Sequence, residues 1–169
     1  STFLALPLEG NLKWQFQALQ EKLKPFEDCL RFQNPQTPHM TLQFWKELME
    51  IEYGQIEAQA QKIALSTAPF TLKVDTVETF GDRVLLLSLA FSEELARLKK
   101  SCPWPDPKKF HPHITLARMG HPQRFQRSKK KIMKALADAA FEIPIDRLRL
   151  YAEIDGRKQT PLQDFVLQG

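Results

Sequence analysis

The 169-residue sequence has only two cysteines and no run of about 20 uninterrupted apolar residues. Cys29 and Cys102 are too few for a disulfide scaffold and predict free thiols in a reducing compartment, the cytoplasm. The lack of a long apolar run argues against a membrane span, and the short apolar start at residues 1–8 lacks the basic flank of a signal peptide. With 43% hydrophobic and 26% charged residues, residues 1–169 are expected to form one globular domain.

The hydrophobic spacing predicts antiparallel strand pairs interleaved with single helices. Strands are expected at residues 2–8, 28–33, 39–45, 70–79, 83–91, 111–118, 142–151 and 161–168. Helices are expected at residues 11–24, 50–66, 92–100 and 124–140, with Asn11 and Ser92 as N-caps of the first and third. This order favours an α+β fold with two antiparallel sheets and helices packed on the outside.

Positive charge is concentrated in one segment, although the net charge is only +4. Residues 97–134 carry 12 Lys or Arg and one acid, Asp106, for a net +11; the other residues carry 12 basic and 19 acidic side chains, for a net −7. For the lysines at 129–131 and 134 alone, a solvated helix face is the favoured interpretation. For the whole segment, the segregation predicts a surface that attracts phosphate or nucleic acid.

A short motif occurs twice, about half a chain apart. Pro-His-Met-Thr-Leu at residues 38–42 reappears as Pro-His-Ile-Thr-Leu at residues 112–116, and both copies lie in predicted strands. Because side chains alternate along a strand, each copy places its His and Thr on one face and its two aliphatic residues on the other. The repeat therefore predicts two similar lobes related by a pseudo-twofold axis, each supplying one histidine to a central cleft.

Two histidines in one cleft suit phosphodiester cleavage. A neutral imidazole takes a proton from the attacking oxygen while a protonated one gives a proton to the leaving oxygen, so His39 and His113 are the candidate catalytic pair. Thr41 and Thr115 are candidate donors to the non-bridging phosphate oxygens. Arg118, two residues beyond the second motif, is a candidate bidentate clamp on the same phosphate.

These residues resemble a known family. The two His-x-Thr-Leu copies, the run Phe-His-Pro-His-Ile-Thr-Leu-Ala-Arg at 110–118 and the pattern at 150–162 are similar to the two-histidine phosphoesterase superfamily, and within it to the bacterial RNA 2′,3′-cyclic phosphodiesterase family, also called 2′-5′ RNA ligase-like. The resemblance implies a bilobal α+β fold and hydrolysis of a 2′,3′-cyclic phosphate to a 2′-phosphomonoester without metal or cofactor. It also implies weaker reverse 2′-5′ ligation.

The resemblance implies roles for the motif residues. His39 corresponds to the general acid and His113 to the general base, although the two roles are interchangeable from the sequence. The sequence departs from the family pattern near the cleft, where Glu153 stands at a position that commonly has a small hydroxyl residue and Gln159 at one that commonly has tyrosine. These departures concern contacts to the nucleobase rather than the phosphate chemistry.

Four further residues are candidates to stack on a base or line the cleft. Phe44, Phe110, His111 and Tyr151 flank the motifs or match a family position, although packing is the more common role of any single aromatic residue. Strand parity turns Phe44 away from His39 unless a bulge intervenes.

Two other interpretations use the same residues. His39, His111 and His113 have spacing compatible with a zinc site, but zinc explains neither the paired threonines nor the repeat. A non-catalytic RNA- or phosphate-binding module on the same fold is the second alternative. The expected partners are RNA ends or nucleotides bearing a 2′,3′-cyclic phosphate, including tRNA halves and ADP-ribose cyclic phosphate, or 2′-5′-linked oligomers, and the protein is expected to be a monomer without an obligate protein partner.

Overall fold

Nine strands, four α-helices and one short 3-10 helix (Lys24–Phe26) form the chain in a computed structural model that describes residues 1–155 and 157–169. The strands are β1 (Thr2–Pro7), β2 (Leu30–Phe32), β3 (His39–Trp45), β4 (Phe70–Phe80), β5 (Val84–Leu89), β6 (His113–Met119), β7 (Glu142–Ile145), β8 (Arg147–Ile154) and β9 (Lys158–Val166). The helices are α1 (Asn11–Lys22), α2 (Glu50–Leu65), α3 (Glu93–Ser101) and α4 (Pro122–Ala135). The predicted α+β class is confirmed.

All strand pairs are antiparallel, and the order of hydrogen-bonded neighbours is β7-β4-β5-β6-β3-β1-β8-β9, with β2 on β6. Two halves of four strands meet where β6 lies beside β3, and the single residue pair Met40–Ile114 joins them. The two sheets expected from the sequence therefore connect into one. The pseudo-twofold relation between the halves stays a prediction.

The helices bury their apolar residues in one large core shared by both halves. Phe16 of α1, Ile56 of α2, Leu95 of α3 and Phe125 of α4 are all buried in this core. The opposite side of the sheet carries a small apolar cluster of Phe3, Ala5 and Tyr151. One sheet face thus builds the core, and the other is left to carry polar side chains.

Both motif strands contain a β-bulge at the same point of the repeat. Across β1 and β3, Leu4 pairs with Gln43 and Ala5 with Thr41, which leaves Leu42 as the extra residue. Across β5 and β6, the partners of Leu85 and Leu86 are likewise Ala117 and Thr115, with Leu116 between them. Since an extra residue reverses the alternation that follows it, side chains beyond each bulge change face.

Several boundaries differ from the sequence predictions, and three of these differences concern how an element begins or divides. Asn11 is the first residue of α1 rather than its cap, because Gly10 takes the N-cap position with φ of 58°. The helix predicted at 124–140 begins earlier, since His121 caps it by accepting from the Arg124 amide at 3.2 Å and Pro122 follows. The predicted strand 142–151 is two strands: β7 pairs with β4, and β8 with β1 and β9.

No helix within the described residues is long and apolar enough to cross a membrane. The two thiols are free, as predicted, with Cys29 buried and Cys102 partly buried. Burial raises the pKa of the Cys102 thiol to about 11, which keeps it in the unreactive protonated form near neutral pH.

Candidate active site

The two motif histidines lie on one face of the sheet. Met40 and Ile114 are paired across the junction and point into the core, so the residues beside them point to the other side. Extending this antiparallel register by one residue each way places His39 across from Thr115, and Thr41 across from His113. We call the sheet side that carries these four residues the histidine face.

Both imidazoles are held in the same way. The Nδ1 atom of His39 lies 2.8 Å from the Thr37 carbonyl oxygen, and Nδ1 of His113 lies 2.7 Å from the His111 carbonyl oxygen. A carbonyl only accepts, so Nδ1 carries the hydrogen and donates it. Nε2 of each ring is therefore the atom left to exchange a proton with a ligand.

Aromatic side chains pack behind His39. The ring of Phe3 stacks on it with centroids 4.7 Å apart, and Tyr151 stacks in turn on Phe3 at 4.9 Å. Burial lowers the pKa of His39, while the hydrogen bond to Thr37 and the negative charge of Glu153 act in the opposite direction. A positive charge on His113 acts in the same direction as burial and lowers the pKa of His39.

His113 has a different set of neighbours. Phe80 packs edge-on against it, with ring centroids 5.2 Å apart, and also against His111 at 4.7 Å. Burial lowers the pKa of His113; the hydrogen bond to the His111 carbonyl raises it, and the charge of the His111 ring lowers it. His111 itself is about half exposed and lies 3.8 Å from a carboxylate oxygen of Glu78. His111 thus lies beside His113, with the two ring centroids 6.0 Å apart.

The bulges bring two further predicted residues to the histidine face. Phe44 pairs with Phe3, and Arg118 pairs with Val84, so each lies on the same side as the His and Thr of its own strand. Phe44 and Arg118 occupy equivalent positions in the two copies, and both are exposed. Regular alternation of side chains along β3 would place Phe44 on the face opposite His39. The extra residue at Leu42 reverses the alternation and places Phe44 on the histidine face.

Two of the predicted cleft aromatics are packed instead. Tyr151 is only 1% exposed and packs against both Phe3 and His39, with its ring centroid 5.5 Å from that of His39, so it supports His39 rather than lining an open surface. Phe110 packs partly buried against the core, with the Lys99 ammonium 5.0 Å from its ring centroid. Phe44 is therefore the predicted aromatic residue with a free ring on the histidine face.

A chain of hydrogen bonds behind His39 escaped the sequence analysis. The Thr37 hydroxyl donates to Oε1 of Gln159 at 2.5 Å, and Nε2 of Gln159 donates to Oε2 of Glu153 at 2.8 Å. Since His39 donates to the Thr37 carbonyl, Glu153 and Gln159 are connected to the imidazole through one residue. The sequence contained one indication of this chain of hydrogen bonds, because Glu153 and Gln159 both depart from the family pattern.

Within residues 1–155 and 157–169, no three His, Cys, Asp or Glu side chains are grouped in a way that would hold a metal ion. The zinc hypothesis built on His39, His111 and His113 therefore lacks a ligand set in this structure. Asp106, the acid of the basic segment, forms an ion pair with Lys99 at 3.1 Å and contacts neither histidine.

Fold and site together define a class of α+β protein in which two adjacent strands each present a His-x-Thr pair on a common face. The family model of the 2′-5′ RNA ligase superfamily matches residues 16–157. The chain therefore belongs to the 2′-5′ RNA ligase superfamily, and the resemblance seen in the sequence is confirmed.

Two similar proteins are each named RNA 2′,3′-cyclic phosphodiesterase. The protein from Bacillus subtilis (strain 168) is 29% identical over 129 residues, which cover 69% of this chain and 69% of that protein. The protein from Aquifex aeolicus (strain VF5) is 31% identical over 99 residues, or 50% of this chain and 53% of that one.

Solved structures share the whole fold. TT0787 of Thermus thermophilus superimposes with a TM-score of 0.78 at 24% identity, covering 99% of this chain and 98% of that one. E. coli LigT complexed with 3′-AMP superimposes with a TM-score of 0.73 at 20% identity and the same coverage. At sequence identities of 20–24%, the similarity to these structures establishes the fold alone.

Proposed function

We propose that this protein hydrolyses RNA or nucleoside 2′,3′-cyclic phosphates to 2′-phosphomonoesters, with His39 and His113 as the catalytic pair and no metal or cofactor. The observation that carries the proposal is the paired arrangement on the histidine face: each imidazole is fixed through Nδ1, and each lies across from the threonine of the other motif. The names of the two similar proteins support this reaction.

The reaction needs one proton taken and one proton given. Nε2 of His113 accepts a proton from water as the water oxygen bonds to phosphorus, and Nε2 of His39 donates a proton to O3′ as the P–O3′ bond breaks. The product carries the phosphate on O2′ and a free 3′ hydroxyl. Thr41, Thr115 and Arg118 donate hydrogen bonds to the non-bridging oxygens, where negative charge accumulates.

The charges around the rings support His39 as the acid. Burial lowers the pKa of both histidines and favours the neutral form of each. Among the smaller contributions, the Glu153 carboxylate favours the protonated form of His39, whereas the charge of the His111 ring opposes protonation of His113. The base must start neutral and the acid must start protonated, so the carboxylate of Glu153 near His39 is the feature that supports His39 as the acid.

Reverse ligation uses the same bonds. A 5′ hydroxyl in place of water attacks phosphorus, O3′ leaves with the proton from His39, and the product is a 2′-5′ linkage. Water is far more concentrated than RNA ends, so hydrolysis is the favoured direction. RNA ends are the proposed partners, and the protein is proposed to act as a monomer in the cytoplasm.

Product analysis of a short RNA ending in a 2′,3′-cyclic phosphate tests the proposal. We expect the wild type to form only the 2′-phosphate in excess chelator, and His39→Ala or His113→Ala each to lower kcat by about 10² to 10⁴-fold. His121→Asn is the matched control: it also removes an imidazole but keeps an N-cap acceptor for α4, and it should leave the rate unchanged.

The outcomes separate the proposal from its rivals. Full activity in either alanine variant would refute the paired mechanism. Loss of activity with chelator would favour metal chemistry. Salt-sensitive RNA binding by the wild type without product would favour the binding-module alternative suggested by the basic segment.

A further inference from the structure

Three arginines line one cavity beside the histidine face. The cavity has a volume of about 500 Å³. Its lining consists of three basic side chains, two amides and one aromatic ring, namely Arg31, Arg118, Arg157, Gln33, Asn34 and Phe32. Only Arg118 belongs to the basic segment found in the sequence, because Arg31 and Arg157 come from distant parts of the chain.

The fold brings these arginines together through two elements. In the β2–β6 register, Arg31 lies directly opposite Arg118, so the two side chains share the histidine face. Arg157 comes from the turn between β8 and β9, and its carbonyl oxygen accepts a hydrogen bond from Nδ2 of Asn34 at 3.3 Å. Like charges directly opposite on neighbouring strands are unfavourable, so this arrangement calls for a compensating anion.

No carboxylate of the described chain supplies that compensation. Arg124, Arg147 and Arg149 each have an acidic side chain within 4.0 Å, whereas none of the three cavity arginines is in such an ion pair among the residues described. All three are exposed. A guanidinium group presents a planar fork of donors that fits two phosphate oxygens at once. A phosphate group therefore has the chemistry to bind three such groups gathered in one cavity.

The cavity lies one step along β6 from the proposed reacting phosphate. Between Thr115 and Arg118 lie Ala117 and the bulged Leu116, and their partners Leu86 and Val84 are two residues apart on β5. Two residues of strand span roughly 7 Å. This is a separation similar to that of neighbouring phosphates on a nucleic-acid strand.

We propose that Arg31 and Arg157 of this cavity bind the phosphate on the 5′ oxygen of the terminal nucleoside, which in RNA is the first internucleotide phosphate, with Arg118 between it and the reacting phosphate. This inference rests on the proposed function, since the cyclic end must lie between the two histidines for the next phosphate to reach the cavity. Its consequence is a preference for RNA chains over nucleoside cyclic phosphates.

The experiment measures binding and turnover separately. Calorimetric titration compares adenosine 2′-monophosphate with adenosine 2′,5′-bisphosphate, which differ by the second phosphate alone. Turnover compares adenosine 2′,3′-cyclic phosphate with the same nucleotide bearing a 5′-phosphate and with a cyclic-ended ApA dinucleotide. The test variants are Arg31→Ala and Arg157→Ala. These residues lie in different parts of the fold, so if one variant fails to fold, the other still tests the proposal. Arg127→Ala, on exposed α4, removes the same charge elsewhere and is the control.

We expect the wild type to bind the bisphosphate about tenfold more tightly than the monophosphate, the effect of one good charged contact. Arg31→Ala and Arg157→Ala should each reduce this ratio toward one, and Arg127→Ala should preserve it. The same pattern is expected in the kcat/KM ratio of the dinucleotide to the nucleoside.

Equal wild-type binding of the two nucleotides, or a ratio unaffected in both test variants, would overturn the inference. A gain confined to the 5′-phosphorylated mononucleotide, without one for the dinucleotide, would overturn the assignment to an RNA chain. If no cyclic substrate is turned over but the arginine-dependent binding ratio persists, the proposed function fails and the phosphate site stands.

Discussion

At the residue scale, the two histidines share a first hydrogen bond and differ in what lies behind it. His39 donates to the carbonyl of Thr37, whose hydroxyl continues through Gln159 to the Glu153 carboxylate. His113 donates to the carbonyl of His111, whose side chain is itself a base. A negative group stands behind one ring and a potential positive group behind the other. We expect this asymmetry to set which histidine holds the proton.

Glu153→Gln tests that expectation at a single position. Glutamine keeps an acceptor for the Gln159 amide but removes the charge that favours protonated His39, so the pKa of His39 should fall. The proposed acid works only when protonated, and the rate declines as pH rises through its pKa. The alkaline limb of kcat/KM against pH should therefore move to lower pH, with the acid limb set by His113 unchanged.

Asp138→Asn removes an equivalent charge from an exposed site outside the histidine face and should leave both limbs in place. A uniform drop in rate for Glu153→Gln, without movement of the alkaline limb, would show that Glu153 acts only structurally.

Some residues of the site were readable from the sequence, and others were not. The repeat placed His39, His113 and their threonines together, because period-two alternation fixes which side chains share a face. Phe3, Glu153 and Arg31 reach the site only through strand pairing with distant segments. Spacing along one strand carries no information about such partners.

At the scale of elements, each bulge leaves a backbone carbonyl that needs a donor from outside its own pair of strands. The Leu42 carbonyl in β3 accepts from the Lys99 ammonium of α3 at 2.5 Å. The equivalent Leu116 carbonyl in β6 accepts from the Gln33 backbone amide at 3.0 Å and from Gln20 Nε2 at 3.2 Å. The bulges that turn Phe44 and Arg118 to the histidine face are thus held in place by other elements.

Lys99→Met tests the first of these supports. The side chain is 15% exposed, and its ammonium uses its three donors on the Leu42 carbonyl, Gln43 Oε1 and Asp106 Oδ2. Methionine fills similar space but leaves these acceptors without a partner, so the free energy of unfolding should fall by about 1–3 kcal/mol. Urea unfolding with an unchanged m-value measures this loss.

The neighbouring Lys100→Met is the matched control, because Lys100 is exposed on the same helix and should change stability little. Equal stability of the two variants would mean that the Lys99 contacts contribute nothing net.

Most helices and strands were predictable, but the bulges and one strand break were not. Alternation at 142–151 is continuous in the sequence, yet the chain changes partner at Asp146, passing from the half that contains β4 to the half that contains β1. The periodicity of hydrophobic residues indicates whether a segment is a helix or a strand, but it does not indicate which strand it pairs with.

At the scale of the whole molecule, the two halves are interwoven along the chain. One half joins β3 and β1 from the start of the chain to β8 and β9 from its end through the β1–β8 pairing, and β4 to β7 form the other half. One core underlies both, containing Leu87 of β5 as well as Leu148 of β8. The two halves are therefore interleaved in the sequence and share one core, although the sheet joins them through the single pair Met40–Ile114.

This arrangement predicts one cooperative unfolding transition. Leu87→Ala and Leu148→Ala lie in different halves, and each removes a fully buried side chain, so each should cost about 2–5 kcal/mol. Because the core is shared, both variants should shift the entire transition seen by circular dichroism in urea, and tryptophan fluorescence should follow the same curve. Independent lobes would instead give two steps, with each substitution moving only one of them. That result would contradict the single two-lobed domain predicted for residues 1–169 and would require the catalytic pair to be assembled between separately folding units.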